Sequence, residues 1–503
     1  MTNQRKFDRR TLFGGALVVG TAAVAAGGLD WDGRAYAATT ASGKAPSGAK
    51  GLGPGGTLLK PGSRPYPHLA AGTDTIPELD HVVVLMMENH SFDDHFGMLG
   101  RGDGLTLDTH GVPVNNNPAT GGGVIMSYPL PNTYGPVNSE ISQSWDKSHL
   151  CWSGGTNQGF AEHCGPASMG YLSEDQLPYY YSLAKQFPVG DRYFCSVMGQ
   201  TYPNRRFLIA GTALGDVSTN ASGVSSTNAP NGTIFDRLDA HDITWKDYHS
   251  DLPTAALFLP NYLDNIANGK MAPINEFLSD AKAGTLPQFS LVDPYTDYSE
   301  ENGDVSIGEA FAARIINAVL DSPTWSKTAL ILVYDEHGGW YDHVSPQPVV
   351  RPDDIPPEIT VPPDQPGGYD YTGFRVPCVV VSPYAKKDHV SSVTYEHTSI
   401  LKFVETKWNL PALTYRDANA QNMLDFFDLK TKRPAFAEPP TLKAPLNPFV
   451  GPLPANSASP GFHPIATPIQ ADTLPSAAYR LDAAPKGSAA LLAAHAKRYE
   501  VRA

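Results

Sequence analysis

The chain has 503 residues, 41% of them hydrophobic, and its 51 acidic and 37 basic side chains leave a formal net charge of −14. That acidity argues against nucleic acid or anionic membrane as the main partner, since no phosphate-neutralising patch is evident, and leaves transient contact with a zwitterionic lipid surface open. Four cysteines, Cys151, Cys164, Cys195 and Cys378, are too few for a disulfide scaffold, and none has zinc-finger spacing.

The N-terminus carries Arg9-Arg10-Thr11-Leu12-Phe13, then a Gly/Ala-rich apolar segment, then the small-x-small site Ala35-Tyr36-Ala37. This reads as a cleaved twin-arginine signal over residues 1–37, which hands a folded chain to the Tat export machinery. The alternative is an uncleaved membrane anchor, which the weak hydrophobicity and the cleavage site disfavour. Cleavage takes the formal charge from −14 to −16 and makes the expected location secreted or cell-wall associated. Residues 38–75, rich in Gly, Pro and Ser, read as a flexible leader. Residues 76–432 read as one globular domain, and 433–503 as a Pro/Ala-rich arm ending in a short helix, Ser488–Tyr499.

Within the domain the first strong element is the apolar run Val82–Met87, which stops abruptly at Glu88-Asn89. Apolar residues at consecutive positions mark a strand buried on both faces, and polar groups just past its carboxyl end sit where open α/β sheets hold ligands. The segment Asp191–Thr212 follows, in which apolar Tyr193–Met198 predicts a strand, Gly199-Gln200 a turn and Thr201 the start of a helix. A hydroxyl at that turn is placed as a nucleophile, with the helix N-terminus favouring a bound phosphate. A lone Thr there is more often a helix cap. Further strands are expected at Gln288–Val292 and Pro377–Ser382, and helices at Gly308–Leu320 and Thr398–Trp408. Thr328–Gly339 repeats the first pattern, a buried strand delivering Asp335, Glu336 and His337. The two acidic strand ends look like halves of a metal site. The alternation of elements predicts an α/β fold, with a mostly parallel central sheet covered by helices on both faces. Among three cysteine connectivities, Cys151–Cys164 closes a short polar loop and is favoured, with buried thiols the alternative for Cys195 and Cys378.

The motifs E-N-H-S-F-D-D-H-F-G, G-Q-T-Y-P-N-R and Y-D-E-H-G-G-W-Y-D-H-V, in that order, resemble a bacterial phosphoesterase family. That family contains phosphatidylcholine-hydrolysing phospholipases C and a secreted acid phosphatase, and the resemblance implies an alkaline-phosphatase-like fold. It spans about Leu79–Asp428 and takes in W-x-G-G at Trp152, L-P-Y-Y-Y at Leu177 and H-T-S-I-L at His397. It implies a metal held by Glu88, Asn89, Asp335 and Glu336, with Thr201 as nucleophile and further ligand. Threonine at that position leans toward phospholipase C. Three carboxylates and an amide oxygen make a hard-oxygen set suited to one divalent ion, Ca²⁺ first, then Mg²⁺ or Mn²⁺. Histidines are expected to hold phosphate oxygens and protonate the leaving alkoxide, His149 first and His249 second. His337, His343 and His397 also lie in matching motifs, and their bland reading is a core imidazole bonded to a carboxylate, as for His343 with Asp342. Two departures from the family pattern stand out: Asn302 and Gln143 stand where histidines are expected, and Asn can donate a hydrogen bond to phosphate but cannot act as a general acid near neutral pH. The expected function is therefore a phospholipase C acting on a phospholipid through a phosphothreonine. The alternatives are an acid phosphatase acting on phosphomonoesters and a catalytically impaired secreted binding protein.

Overall fold

Unbroken aliphatic runs can bury both faces of a strand only inside a covered sheet, and the computed structural model has such a sheet at its centre. The structure describes residues 58–137, 141–219, 229–250, 253–257, 265, 267–294, 303–359 and 365–447, with two short strands at 469–470 and 480–481. The signal segment, Asn302 and the expected helix Ser488–Tyr499 lie outside the described residues.

Eight strands form the main sheet: β1 His81–Met87, β2 Val189–Gly190, β3 Trp245–His249, β4 Met271–Pro273, β5 Phe289–Asp293, β6 Thr328–Tyr334, β7 Cys378–Val381 and β8 Val390–Ser391. Their order across the sheet is β8-β2-β7-β6-β1-β5-β3-β4. Only β7 runs antiparallel to its neighbours; the other pairings are parallel. β1 lies between β5 and β6, with Met87 level with Tyr334 and Leu85 level with Val292. Val82–Met87 and Ala329–Tyr334 are wholly buried, so both sheet faces are covered, as parallel sheets require.

The principal helices are α1 Phe92–Phe96, α2 Trp145–Trp152, α3 Pro178–Gln186, α4 Thr201–Ala210, α5 Ile274–Ala283, α6 Val305–Leu320 and α7 His397–Trp408. α7 packs on α4, and α6 on α5 and α3. α6 begins before the expected Gly308 because Asp304 caps it, its side chain accepting from Ser306 N at 3.1 Å. α4 ends on Gly211 at φ 70°, where a Cβ would lie 2.8 Å from Thr414 Oγ1, so both the conformation and the packing require glycine.

Two expectations are corrected. Tyr193–Met198 is buried but is no strand. Its backbone bonds go singly to loops, Phe194 N to Tyr395 O and Cys195 N to Phe374 O, each at 2.9 Å, so its apolarity reports burial rather than pairing. The last part of the leader is docked rather than loose: Asn419 Oδ1 accepts from Leu59 N and Asn409 Oδ1 from Tyr66 N, both at 2.9 Å. The start of the arm is likewise held, with Phe436 buried against Phe187 and its carbonyl accepting from Trp325 Nε1. Among the described residues no helix is long and apolar enough to cross a membrane.

Candidate active site

The register of β1 and β6 brings Glu88-Asn89 and Asp335-Glu336 together at one sheet edge. The two ends are tied directly: Asp335 Oδ1 accepts from Asn89 N at 3.1 Å and from Glu336 N at 2.7 Å. Glu336 Oε2 accepts from Gly338 N at 2.8 Å. All four side chains are buried. Asn89 sits in the left-handed region at φ 67°, where an ordinary residue is strained and Asn is tolerated, and strain of this kind gathers at functional sites.

α4 approaches this edge with Thr201 as its first residue; Gln200, not Thr201, occupies the cap position. The hydroxyl is therefore not used as a helix cap. Residues four apart share a helix face, so Arg205 lies one turn below Thr201 on the same side. Its guanidinium bridges three adjacent strands: Nε donates to Asp335 Oδ2 at 3.0 Å, Nη2 to Glu88 Oε1 at 3.1 Å and Nη1 to Asp293 Oδ1 at 2.7 Å. Asp293, the last residue of β5, also accepts from Thr254 N at 2.6 Å. Sequence reasoning missed both Arg205 and Asp293. The carboxyl end of β5 and the i, i+4 spacing from Thr201 were signals that point to them. Burial, opposed by Arg205 and reinforced by the charge of Glu88, pushes the Asp335 carboxyl up to about 6.

The histidines divide. His149 lies on α2, its Nδ1 2.8 Å from Trp145 O and its ring against the Trp145 indole at 4.2 Å. Burial lowers its pKa, partly opposed by the bond to Trp145 O. With Nδ1–H donating to that carbonyl, Nε2 is left as an acceptor facing Gly367, where a Cβ would come within 2.4 Å. His249 ends β3, level with Asp293, and is separated from β1 by β5, about 10 Å across the sheet at ordinary strand spacing. The structure thus joins the metal-ligand candidates and α4 through Arg205, while His149 and His249 stand on other elements.

His397 bonds Asp335 O through Nε2 at 2.7 Å and takes a structural role beneath the site; burial brings its pKa down to about 4. His337 is wholly buried beside Phe374, at 4.5 Å between rings, and burial alone takes it to about 3. His343 does bond a carboxylate, but that of Asp93 at 2.6 Å, because Arg375 engages the neighbouring Asp342 at 2.8 Å. The aromatic residues Tyr179, Tyr180, Tyr181, Trp340 and Tyr341 are all core residues, at most 4% exposed. Among the described residues two other groups lie within ligating distance, His90/Asp94/His95 and Asp93/Asp342/His343. Hydrogen bonds and ion pairs run within both: Asp94 Oδ2 meets His90 Nδ1 at 2.7 Å and His95 Nδ1 at 2.8 Å, and Asp93 is shared by His343 and Arg375.

The Phosphoesterase family model matches residues 79–411, which takes in the strand ends, α4 and the histidine segments just described. The chain belongs to the Phosphoesterase family. Phospholipase C A of Mycobacterium tuberculosis (strain CDC 1551 / Oshkosh) is 30% identical over 434 residues, covering 75% of this chain and 82% of that protein. Non-specific phospholipase C6 of Arabidopsis thaliana is 32% identical over 383 residues, covering 68% and 71%. Among solved structures, a protein in the alkaline phosphatase superfamily from Vibrio parahaemolyticus matches at TM-score 0.37 and 11% identity, covering 73% of this chain and 72% of that one. As a phosphoesterase related to phospholipases C, the chain is a hydrolase of phosphoric esters.

A phosphoesterase of this kind is expected to depend on metal, and the residues present fit one. The donors offered by Glu88, Asn89, Asp335 and Glu336 are all hard oxygens and all buried. Arg205 is a single cation paired with three carboxylates, Glu88, Asp293 and Asp335. Glu336 adds a fourth at the same edge, and a divalent ion offsets such an excess of buried negative charge.

Proposed function

We propose that this phosphoesterase is an exported, metal-dependent phospholipase C that cleaves the glycerol-side P–O bond of zwitterionic phospholipids through a phosphothreonine on Thr201. One observation carries the reading. Thr201 opens α4 one turn above Arg205, whose guanidinium pairs with Glu88 and Asp335, so the hydroxyl and the acidic strand ends belong to one assembly. The phospholipase C names of the relatives support the substrate class, and the acidic chain favours a headgroup without net charge.

In this reading Glu88, Asn89, Asp335, Glu336 and Thr201 hold one divalent ion, Ca²⁺ before Mg²⁺ or Mn²⁺, which supplies the positive charge that lowers the hydroxyl pKa and offsets phosphoryl charge. Thr201 Oγ1 attacks phosphorus and the diacylglycerol alkoxide leaves with a proton. His149 first and His249 second are the groups to hold phosphate oxygens and to protonate the leaving alkoxide. Water then hydrolyses the phosphothreonine and releases the phosphorylated headgroup. The N-terminal dipole of α4 favours the anionic phosphoryl group throughout.

The test is product analysis on phosphatidylcholine vesicles and on p-nitrophenyl phosphate with one purified sample, alongside Thr201→Ser and Thr201→Ala. Diacylglycerol release that survives in the serine variant and disappears in the alanine variant is expected. Turnover by the alanine variant near the parental rate would mean that water attacks directly. Free phosphate from the monoester, with no diacylglycerol, would replace the phospholipase reading by a phosphatase one.

A further inference from the structure

Two of the four cysteines meet inside the fold. Cys151 lies in the last turn of α2, and Cys164 follows the short helix Phe160–His163 as its cap residue. Their Sγ atoms are 3.1 Å apart and both side chains are wholly buried. Cys195 points elsewhere, its thiol donating to Val197 O at 3.4 Å, and Cys378 stands in β7. Among the described contacts, Cys151–Cys164 is the pair whose sulfurs meet.

We propose that Cys151 and Cys164 are a disulfide-forming pair that closes when the chain meets an oxidising compartment and clamps the C-terminal end of α2. Sulfurs already in contact need about 1 Å of further approach to reach bonding distance, which side-chain rotation supplies. The clamp has a mechanical purpose. Residues 153–156, between the two cysteines, are exposed, and Gly154 and Gly155 adopt φ values of 64° and 101°, so the chain leaving α2 is weakly held. The Cys164 thiol also donates to Ser142 O at 3.4 Å, just before α2 begins. A bond to Cys151 would replace that hydrogen bond, since Cys164 gives up its thiol hydrogen, and would tie the C-terminal end of α2 to the residue that follows the short helix, with His149 two residues from the linkage. Opening of the exposed turn is the route by which an oxidant reaches the buried thiols.

The chemistry is thiol–disulfide exchange with a disulfide oxidant. One cysteine, as its thiolate, attacks a sulfur of the oxidant and releases one oxidant thiolate; the second cysteine thiolate then displaces the other. Two protons leave the protein, two electrons pass to the oxidant, and the oxidant ends as two thiols. The proposal does not depend on the substrate assignment.

The experiment treats the full-length protein with glutathione disulfide or with dithiothreitol, removes each, then unfolds it in guanidinium with N-ethylmaleimide and maps the peptides. After glutathione disulfide, Cys195 and Cys378 should take the label while the Cys151 and Cys164 peptides appear joined, lighter by two hydrogens. Reduction should lower the melting temperature by about 4 °C, a shift absent from the Cys151→Ser/Cys164→Ser double variant. Equal labelling of all four cysteines after oxidation overturns the proposal, as does a mixed disulfide with glutathione that never resolves to the internal bond. If the double variant fails to fold, the labelling of the parental protein alone decides.

Discussion

Replacing Arg205 by methionine removes one guanidinium from between three buried carboxylates while keeping most of the aliphatic volume. Arg205 is 4% exposed, and its partners Glu88, Asp293 and Asp335 are 2%, 1% and 0% exposed, so water replaces little of what is lost. Breaking one buried ion pair by deleting a partner costs about 3–5 kcal/mol. Three pairs share this guanidinium, at 3.1, 2.7 and 3.0 Å, which puts the expected loss toward the upper end of that range rather than at three times it, since the carboxylates can take up protons. On a folding stability of about 5–15 kcal/mol such a loss is readily measured. The assay is urea unfolding of Arg205→Met and the parent near pH 7 in chelator, repeated in saturating Ca²⁺. The deficit should be large in chelator and shrink with Ca²⁺, because a divalent ion at the neighbouring oxygens supplies part of the missing charge. A deficit below about 1 kcal/mol in chelator would refute the argument, because it would mean the carboxylates are not held as anions by this fork.

Burial, partly offset by the Tyr180 backbone N–H, pushes the Glu309 carboxyl from 4.5 up to about 8. The folded state then keeps a proton that the unfolded chain releases, which costs about 3 kcal/mol near pH 7. Glu309→Gln should stabilise the protein by about that amount near pH 7 and by little near pH 4, and an unchanged urea midpoint near pH 7 would contradict it. His343 shows the opposite linkage: burial lowers its pKa, but the Asp93 charge and bonds to Asp103 and Asp93 raise it from 6.5 to about 9. Its contribution should be complete below about pH 6.5 and lost as pH rises through about 9; His343→Gln should flatten the stability profile over that window, and a profile unchanged in shape would disprove the assignment. At Asn89, with φ 67°, Asn89→Gly should keep parental stability while Asn89→Ala loses about 1 kcal/mol, and equal unfolding midpoints would show the conformation to be unstrained.

What was legible in the sequence follows from how each element is stabilised. β1, β5, β6 and β7 were placed within a residue or two because a strand covered on both faces has to be apolar at consecutive positions, and that requirement is local. β2, β4 and β8, two or three residues each, were not legible, since such short strands exist only through the partners beside them. Tyr193–Met198 failed for the complementary reason. It carries the composition of a buried strand, but Asp191 leaves the sheet after Gly190 and its neighbours are loops.

The site divides along the same line. Glu88, Asn89, Asp335 and Glu336 stand out because each polar pair interrupts an apolar strand at its carboxyl end, and parallel register then makes the two ends neighbours. His343 could not be assigned its partner locally: adjacent Asp342 is taken by Arg375, and the bond goes instead to Asp93, 250 residues away in the chain. Arg205 looked like an ordinary helical arginine, a residue type that usually lies in solvent. Its burial is imposed by three strands that lie far apart in sequence, so no window around position 205 contains it. The inference was nevertheless available in one step. If Thr201 faces an acidic sheet edge, the residue four positions on faces the same edge, and an arginine there is the charge that edge lacks. The nucleophile assignment and the ion-pair fork are therefore one hypothesis: a rotation of α4 that removed Arg205 from the carboxylates would carry Thr201 away with it.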